Sequence, residues 1–270
     1  MPELKWKTTE VETPEGAVKV THWQKHDPVH LLRLLGRKPV RRIGEHPPVA
    51  IHRFGPRLLS LREFSPKYEE NFLNPHLLFQ RLQTLVDLKA AVSEMPVAFI
   101  QQGSKPPIIL TLYKKKTRDF IDFIKNKRIP VEKREKAAFG AMRKLAQLHA
   151  SGFVHGHPVN NIVVDRNGNA MLVDYTFLDR NQRPVHANET EIELHPSAIA
   201  YGWADVVHGK KPRKMRGSLP GGSFSAFRKA VEKRQRVIPS LVMLNFAEKL
   251  EGAYHTAFAV QVERLKLIKR

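Results

Sequence analysis

Residues 131–176 leave a folding chain few choices. From Val131 to Ser151, Phe139, Met142, Leu145, Ala146, Leu148 and His149 recur at helical spacing and form one stripe. Gly152 follows where a helix C-cap glycine belongs, so the helix is expected to stop there. A compact β-region comes next, with short runs at Phe153-Val154, Ile162–Asp165 and Ala170–Asp174. Asn167-Gly168 lies between the last two and is a strong signal for a tight hairpin turn.

The chain before this helix reads differently. Pro48–Phe54 meets Gly55-Pro56, and Arg57–Phe64 follows as a second apolar run, which predicts a hairpin. After Asn74-Pro75 the spacing of Leu78, Leu82, Leu85 and Lys89 predicts a helix over 76–92. Val97–Gln101 and Ile108–Tyr113 read as another strand pair, joined by a turn holding Gly103 and Pro106-Pro107. Thr117–Lys127 is a short amphipathic helical segment stopped by Pro130. His22, His26 and His30 mimic a helical ladder, but Pro28 interrupts it, and they are expected at the surface. Beyond Asp174 the chain is helix and loop punctuated by Pro196, Pro212, Pro220 and Pro239.

Composition sets the class. Forty-six Lys and Arg against 26 Asp and Glu give a formal charge of +20, and 41% of residues are hydrophobic, so the chain is globular rather than a disordered tail. Zero cysteines exclude a disulfide framework, a thiol nucleophile and Cys-ligated zinc, and suit a reducing cytoplasm. No apolar run reaches the roughly 18 residues of a spanning helix. The first residues, Met1–Glu10, lack an apolar signal core, so the expected location is cytoplasmic. Between Lys114 and Lys136 ten basic residues face four acids; Lys210, Lys211, Arg213, Lys214 and Arg216 form a second knot. Such charge calls for anionic company, nucleic acid or an acidic protein among it, yet no zinc-finger, KH or RNP motif accompanies it.

The segment Lys144–Leu178 contains Leu148-His149, His155-Gly156-His157, Asn161, the Asn167-Gly168 hairpin and Asp174-Tyr175-Thr176. Asp174 ends an apolar strand, where a carboxylate is costly unless it binds a metal or accepts several hydrogen bonds. Asn161 begins the partner strand, so the two side chains can converge on one ion, and Mg²⁺ favours hard oxygen donors. Singly, Asp174 reads as a turn cap and Asn161 as a surface amide.

In order and spacing these motifs resemble the catalytic segment of the protein-kinase-like superfamily, in the style of the Bud32, RIO and lipopolysaccharide kinases. The resemblance implies a two-lobed α+β fold. Its β-rich N-lobe would span 1–113 and its mainly helical C-lobe 114–270, with the catalytic-loop hairpin at 153–176. It implies Asp174 and Asn161 as the magnesium ligands, and puts His157 where the family carries its catalytic aspartate. A neutral imidazole there can accept a proton. Arg62 falls at the phosphate-binding lysine, and Leu110 and Tyr113 fall against adenine. Glu69 and Glu70 precede Pro75, so the helical glutamate that partners this lysine is not evident, nor is a G-x-G-x-x-G loop. The loop is also about one residue short.

The implied function is an atypical ATP-dependent kinase, with ATP and Mg²⁺ as cofactors and a protein or small-molecule hydroxyl as phosphate acceptor. The alternative is a pseudokinase, impaired in catalysis, that serves as a basic binding module for an acidic partner or nucleic acid. His155-x-His157 also has the spacing of a zinc pair, but no further ligand follows within the loop.

Overall fold

The computed structural model describes residues 5–43, 49–64, 74–90, 95–114, 117–156, 161–175, 178–180, 195–209 and 240–268. The chain divides into two compact units, Met1–Lys115 and Lys116–Arg270.

The N-terminal unit is a sheet built from local hairpins. Strands β1 (Trp6–Thr13) and β2 (Gly16–Trp23) pair across a turn in which Gly16 takes a φ of 106°. A short helix α1 (Pro28–Leu32) follows, capped by Asp27, whose carboxylate accepts from Val29 N. Pro28 therefore opens a helix rather than breaking one, because the first helical position needs no N–H. Strands β3 (Arg41–Ile43), β4 (Val49–Phe54) and β5 (Arg57–Glu63) form an antiparallel meander. Helix α2 (Pro75–Asp87) and the pair β6 (Pro96–Gln101) and β7 (Ile108–Tyr113) complete the unit. The seven strands run in the spatial order β1-β2-β6-β7-β5-β4-β3, all antiparallel.

Strand alternation gives this sheet two faces. Ala50, Leu59, Leu61, Ala98, Ile100 and Leu110 join Leu31 and Leu34 in a core cluster on one face. Val49, Ile51 and Leu58 cluster with Tyr113 on the other. Helix α2 lies against β6 and β7, with the Phe79 ring 5.5 Å from that of Phe99. It ends five residues before the expected Val92. Lys89 takes a φ of 49°, and the Ala90 and Lys89 amides donate back to Leu85 O and Val86 O. This is a left-handed helix stop made without glycine. His22 also departs from expectation. Its ring is buried in β2, where Nδ1 donates to the Trp23 carbonyl at 2.8 Å and Nε2 faces Thr9 Oγ1 at 3.1 Å.

The C-terminal unit is organised by α4 (Val131–Ala150), preceded by β8 (Arg118–Asp119) and α3 (Phe120–Lys125). The expected helix over 117–127 thus gives its first turn to a strand, because Arg118 and Asp119 pair with Val164 and Val163. Ala137, Ala138, Ala141, Met142, Leu145, Ala146 and Leu148 bury the inner face of α4. Strands β9 (Phe153–Val154), β10 (Ile162–Val164), β11 (Ala170–Leu172) and β12 (Asp179–Arg180) follow. Helices α5 (Pro196–His208) and α6 (Leu241–Ile268) pack on each other, and α6 packs along α4. Phe139 meets Phe246 edge-on at 5.3 Å, and His149 Nδ1 lies 2.6 Å from the Tyr254 hydroxyl.

Candidate active site

The site begins where α4 ends. Gly152 takes a φ of 81° and its amide donates to His149 O, which turns the chain out of the helix and into β9. His155 follows and is fully buried. Its Nε2 donates to the Val173 carbonyl at 2.9 Å, and its ring lies 5.1 Å from that of Tyr175. The ring that the sequence offers as one of a zinc pair is therefore committed to the backbone beside Asp174. Among the described residues no group of three or more His, Asp or Glu is gathered for a metal.

Asn161 and Asp174 sit at one end of the β10–β11 hairpin. Ile162 pairs with Leu172, and the Val173 amide donates to Asn161 O at 2.8 Å, so Asn161 lies opposite Val173 and Asp174 follows one residue on. Asp174 takes a φ of 57°, in the left-handed region. Aspartate tolerates that region better than most side chains, yet it is sparsely populated and recurs at functional turns. Val173 on one side is held by His155 and Asn161, and Tyr175 on the other is buried, so the neighbours impose this backbone. Together Asp174 and Asn161 offer carboxylate and amide oxygens, the donor type that fits a magnesium ion. His157 lies outside the described residues.

The remaining candidates stand in the N-terminal unit. Arg62 is on β5 opposite Ile109, and Tyr113 is on β7 opposite Leu58, so register places both on the same face of the sheet. Leu110 is on the opposite face and wholly buried in the core cluster. The period of two separates it from Tyr113, so Leu110 and Tyr113 face opposite sides of the sheet. Helix α2 carries no glutamate, and Asp87 at its end is its only acid; Glu69 and Glu70 lie outside the described residues. The β3–β4 connection, 44–48, also lies outside them, as do Lys210, Lys211, Arg213, Lys214 and Arg216.

Sequence reasoning overlooked what holds Asp174 in place. His155 reaches both Val173 and the Tyr175 ring from a distant part of the chain, with no periodicity to announce it.

No protein-family model matches the chain, and no curated protein matches it in sequence. Solved structures do match. The kinase domain of maize SIRK1, sucrose-induced receptor kinase 1, bound to AMP-PNP, is similar with a TM-score of 0.55 at 12% identity. The match covers 88% of this chain and 96% of that one. The fold is that of a protein kinase domain. WaaP, in complex with acyl carrier protein, matches at a TM-score of 0.45 and 16% identity, over 84% of this chain and 94% of that one. In this chain the β3–β4–β5 meander is followed by α2, β6 and β7, and the β1–β2 hairpin precedes it. Among the described residues no helix is long and apolar enough to cross a membrane.

Proposed function

We propose that this kinase-like fold is an ATP-dependent phosphotransferase of atypical type. The observation that carries the reading is the arrangement at Asp174. Its left-handed backbone is set between His155-anchored Val173 and buried Tyr175, next to Asn161. An acid on a left-handed backbone held this firmly, with Asn161 across the adjoining strand, suits a cation. Asp174 and Asn161 would hold Mg²⁺, which, when bound, neutralises charge on the nucleotide phosphates. Arg62 would contact phosphate and Tyr113 the adenine.

In the transfer, the acceptor hydroxyl oxygen bonds to the γ-phosphorus while the bond from that phosphorus to the β–γ bridging oxygen breaks. ADP leaves, and the hydroxyl proton passes to the imidazole of His157 or to solvent. The acceptor is a protein or small-molecule hydroxyl, and a cytoplasmic location would supply ATP and magnesium.

A second reading rests on His157, which stands where the family carries its catalytic aspartate. It makes the chain a nucleotide-binding module without efficient transfer. Calorimetric titration of ATP with and without Mg²⁺ tests the shared premise. Magnesium-dependent binding should weaken at least tenfold in Asp174→Asn, a nearly isosteric change. Labelled γ-phosphate appearing on an acceptor, or none despite binding, then separates the two readings. Wild-type protein that binds no nucleotide overturns both.

A further inference from the structure

A cavity of about 420 Å³ opens in the C-terminal unit between the first turn of α4, the loop before it and the β10–β11 turn. It lies at the opposite end of that hairpin from Asn161 and Asp174. Ile162 pairs with Leu172 at their end and Val164 with Ala170 at the cavity end, a separation of two residue steps along the strand, or roughly 7 Å.

Four cations line the cavity: Arg118, Arg128, Lys133 and Arg166. All four are exposed, and none has a carboxylate within ion-pairing distance among the described residues. Three acids close to the lining are engaged elsewhere. Asp119 caps α3, and Asp122 pairs with Lys125. Asp165 lines the cavity, but its carboxylate accepts from Asn167 N at 2.8 Å and from Asn169 N and Nδ2, both at 2.9 Å. Burial pushes the Asp165 pKa up, yet these bonds, with Lys136, bring it below its ordinary value. It therefore stays ionised inside its own turn, and the lining keeps a clear excess of positive charge.

The walls are fixed in advance of any ligand. Lys136 Nζ donates to Asn167 O at 2.9 Å, pinning the turn that carries Arg166 to α4. Gly168 lets that turn sit close, since a Cβ there would lie 3.1 Å from Lys133 O. Buried Arg134 holds the loop that carries Arg128, donating to Ile124 O and Ile129 O at 3.2 Å each. Arg118 is set by its pairing with Val164. Phe123, Ile129 and Pro130 supply an apolar floor beneath this charged rim.

The geometry points to a second ligand site here, for a small molecule that carries a phosphomonoester or pyrophosphate and a compact apolar or aromatic part. Guanidinium groups bind phosphate oxygens in pairs, and a cavity of this size takes a ligand of that kind. Solvated surface charge would have left these cations scattered over mobile loops; here three anchored segments turn them into one cavity. The inference does not rest on the phosphotransferase reading.

Calorimetry on the full chain in magnesium-free buffer with EDTA tests it, using pyrophosphate, phenyl phosphate and inorganic phosphate as probes. Phenyl phosphate should bind at one site more tightly than inorganic phosphate, because only it reaches the floor. The double variant Arg128→Ala/Lys133→Ala should lose tenfold or more in affinity for pyrophosphate and phenyl phosphate. Arg166→Glu, on an exposed turn, should do the same independently, and Asp174→Asn should bind as the wild type does. Affinity undiminished in both cavity variants overturns the site. So does loss in Asp174→Asn, which would move the binding to the other end of the hairpin. An RNA oligomer that binds where pyrophosphate and phenyl phosphate do not would also overturn it, leaving a nucleic-acid surface instead.

Discussion

Replacing Arg134 by methionine should loosen the C-terminal unit by an amount the structure lets one work out. Arg134 is 6% exposed. Its Nε donates to Ile129 O, and its Nη1 is shared between Ile124 O and Val207 O at 3.2 and 2.9 Å. One guanidinium thus ties α4 to the end of α3, to the following loop and to the end of α5. Hydrogen bonds from a charged donor contribute about 1.5–3 kcal/mol each, and a buried carbonyl left without a donor costs a similar amount. Because Nη1 is shared and burying the cation itself is costly, the sum falls well short of three full bonds. Methionine restores the apolar contact of the stem but none of the donors, so the expected loss is about 3 kcal/mol. For a unit of this size that lowers its melting midpoint by roughly 6–12 °C. Arg134→Lys should cost about half as much, since a single ammonium keeps the charge but lacks the planar fork that spans separate acceptors. Urea unfolding, with hydrogen exchange on α3 and α4 to assign the change to this unit, measures the loss. A deficit below about 0.5 kcal/mol for the methionine variant would refute the reasoning, because it would mean that water already satisfies the three carbonyls.

Two further outcomes are expected. Burial, with Arg42 adding repulsion, holds the pKa of His52 below its ordinary 6.5, and burial followed by Lys25, Arg57 and His22 does the same for His26. Unfolded chains take up these protons first, so the N-terminal unit should lose stability as pH falls below about 6.5 until the lowered folded pKa values are passed. His52→Leu should flatten part of that slope in thermal melts between pH 7 and 5, and a wild-type midpoint that holds or rises on acidification would contradict it. Gly152 and Gly168 both take a φ of 81°, but only Gly168 faces a carbonyl where a Cβ would go. Gly152→Ala should cost about 1–2 kcal/mol from backbone conformation alone, and Gly168→Ala measurably more. Equal urea midpoints for the two variants would show that the turn has room to yield.

Local chemistry explains which elements were legible. The β4–β5 turn at Gly55, the hairpin turn at Asn167-Gly168 and the end of α4 at Gly152 are decided within a few residues, and the sequence displays each of them. Where expectation and structure part, a distant partner or an unsignalled backbone choice intervened. Arg118 and Asp119 left a helical pattern for β10, which lies more than forty residues away. Strand β1, an edge strand mostly of Lys, Thr and Glu, shows no apolar alternation and owes its place to pairing with β2. Lys89 stopped α2 with a left-handed residue that no glycine announced. At the candidate site the order of His155, Asn161 and Asp174 was legible, whereas the hydrogen bond that aims them was not.

By itself, the sequence determined the kinase-like order of motifs, the helix that ends at the site and the hairpin that carries Asn161 and Asp174, because turn chemistry and periodicity act over neighbouring residues. Tertiary structure alone decided that Leu110 joins the buried core cluster, that Asp174 takes a left-handed backbone and that four scattered cations share one cavity. Those outcomes depend on which face a strand turns inward and on contacts between residues far apart in the chain, and a linear pattern carries no record of either.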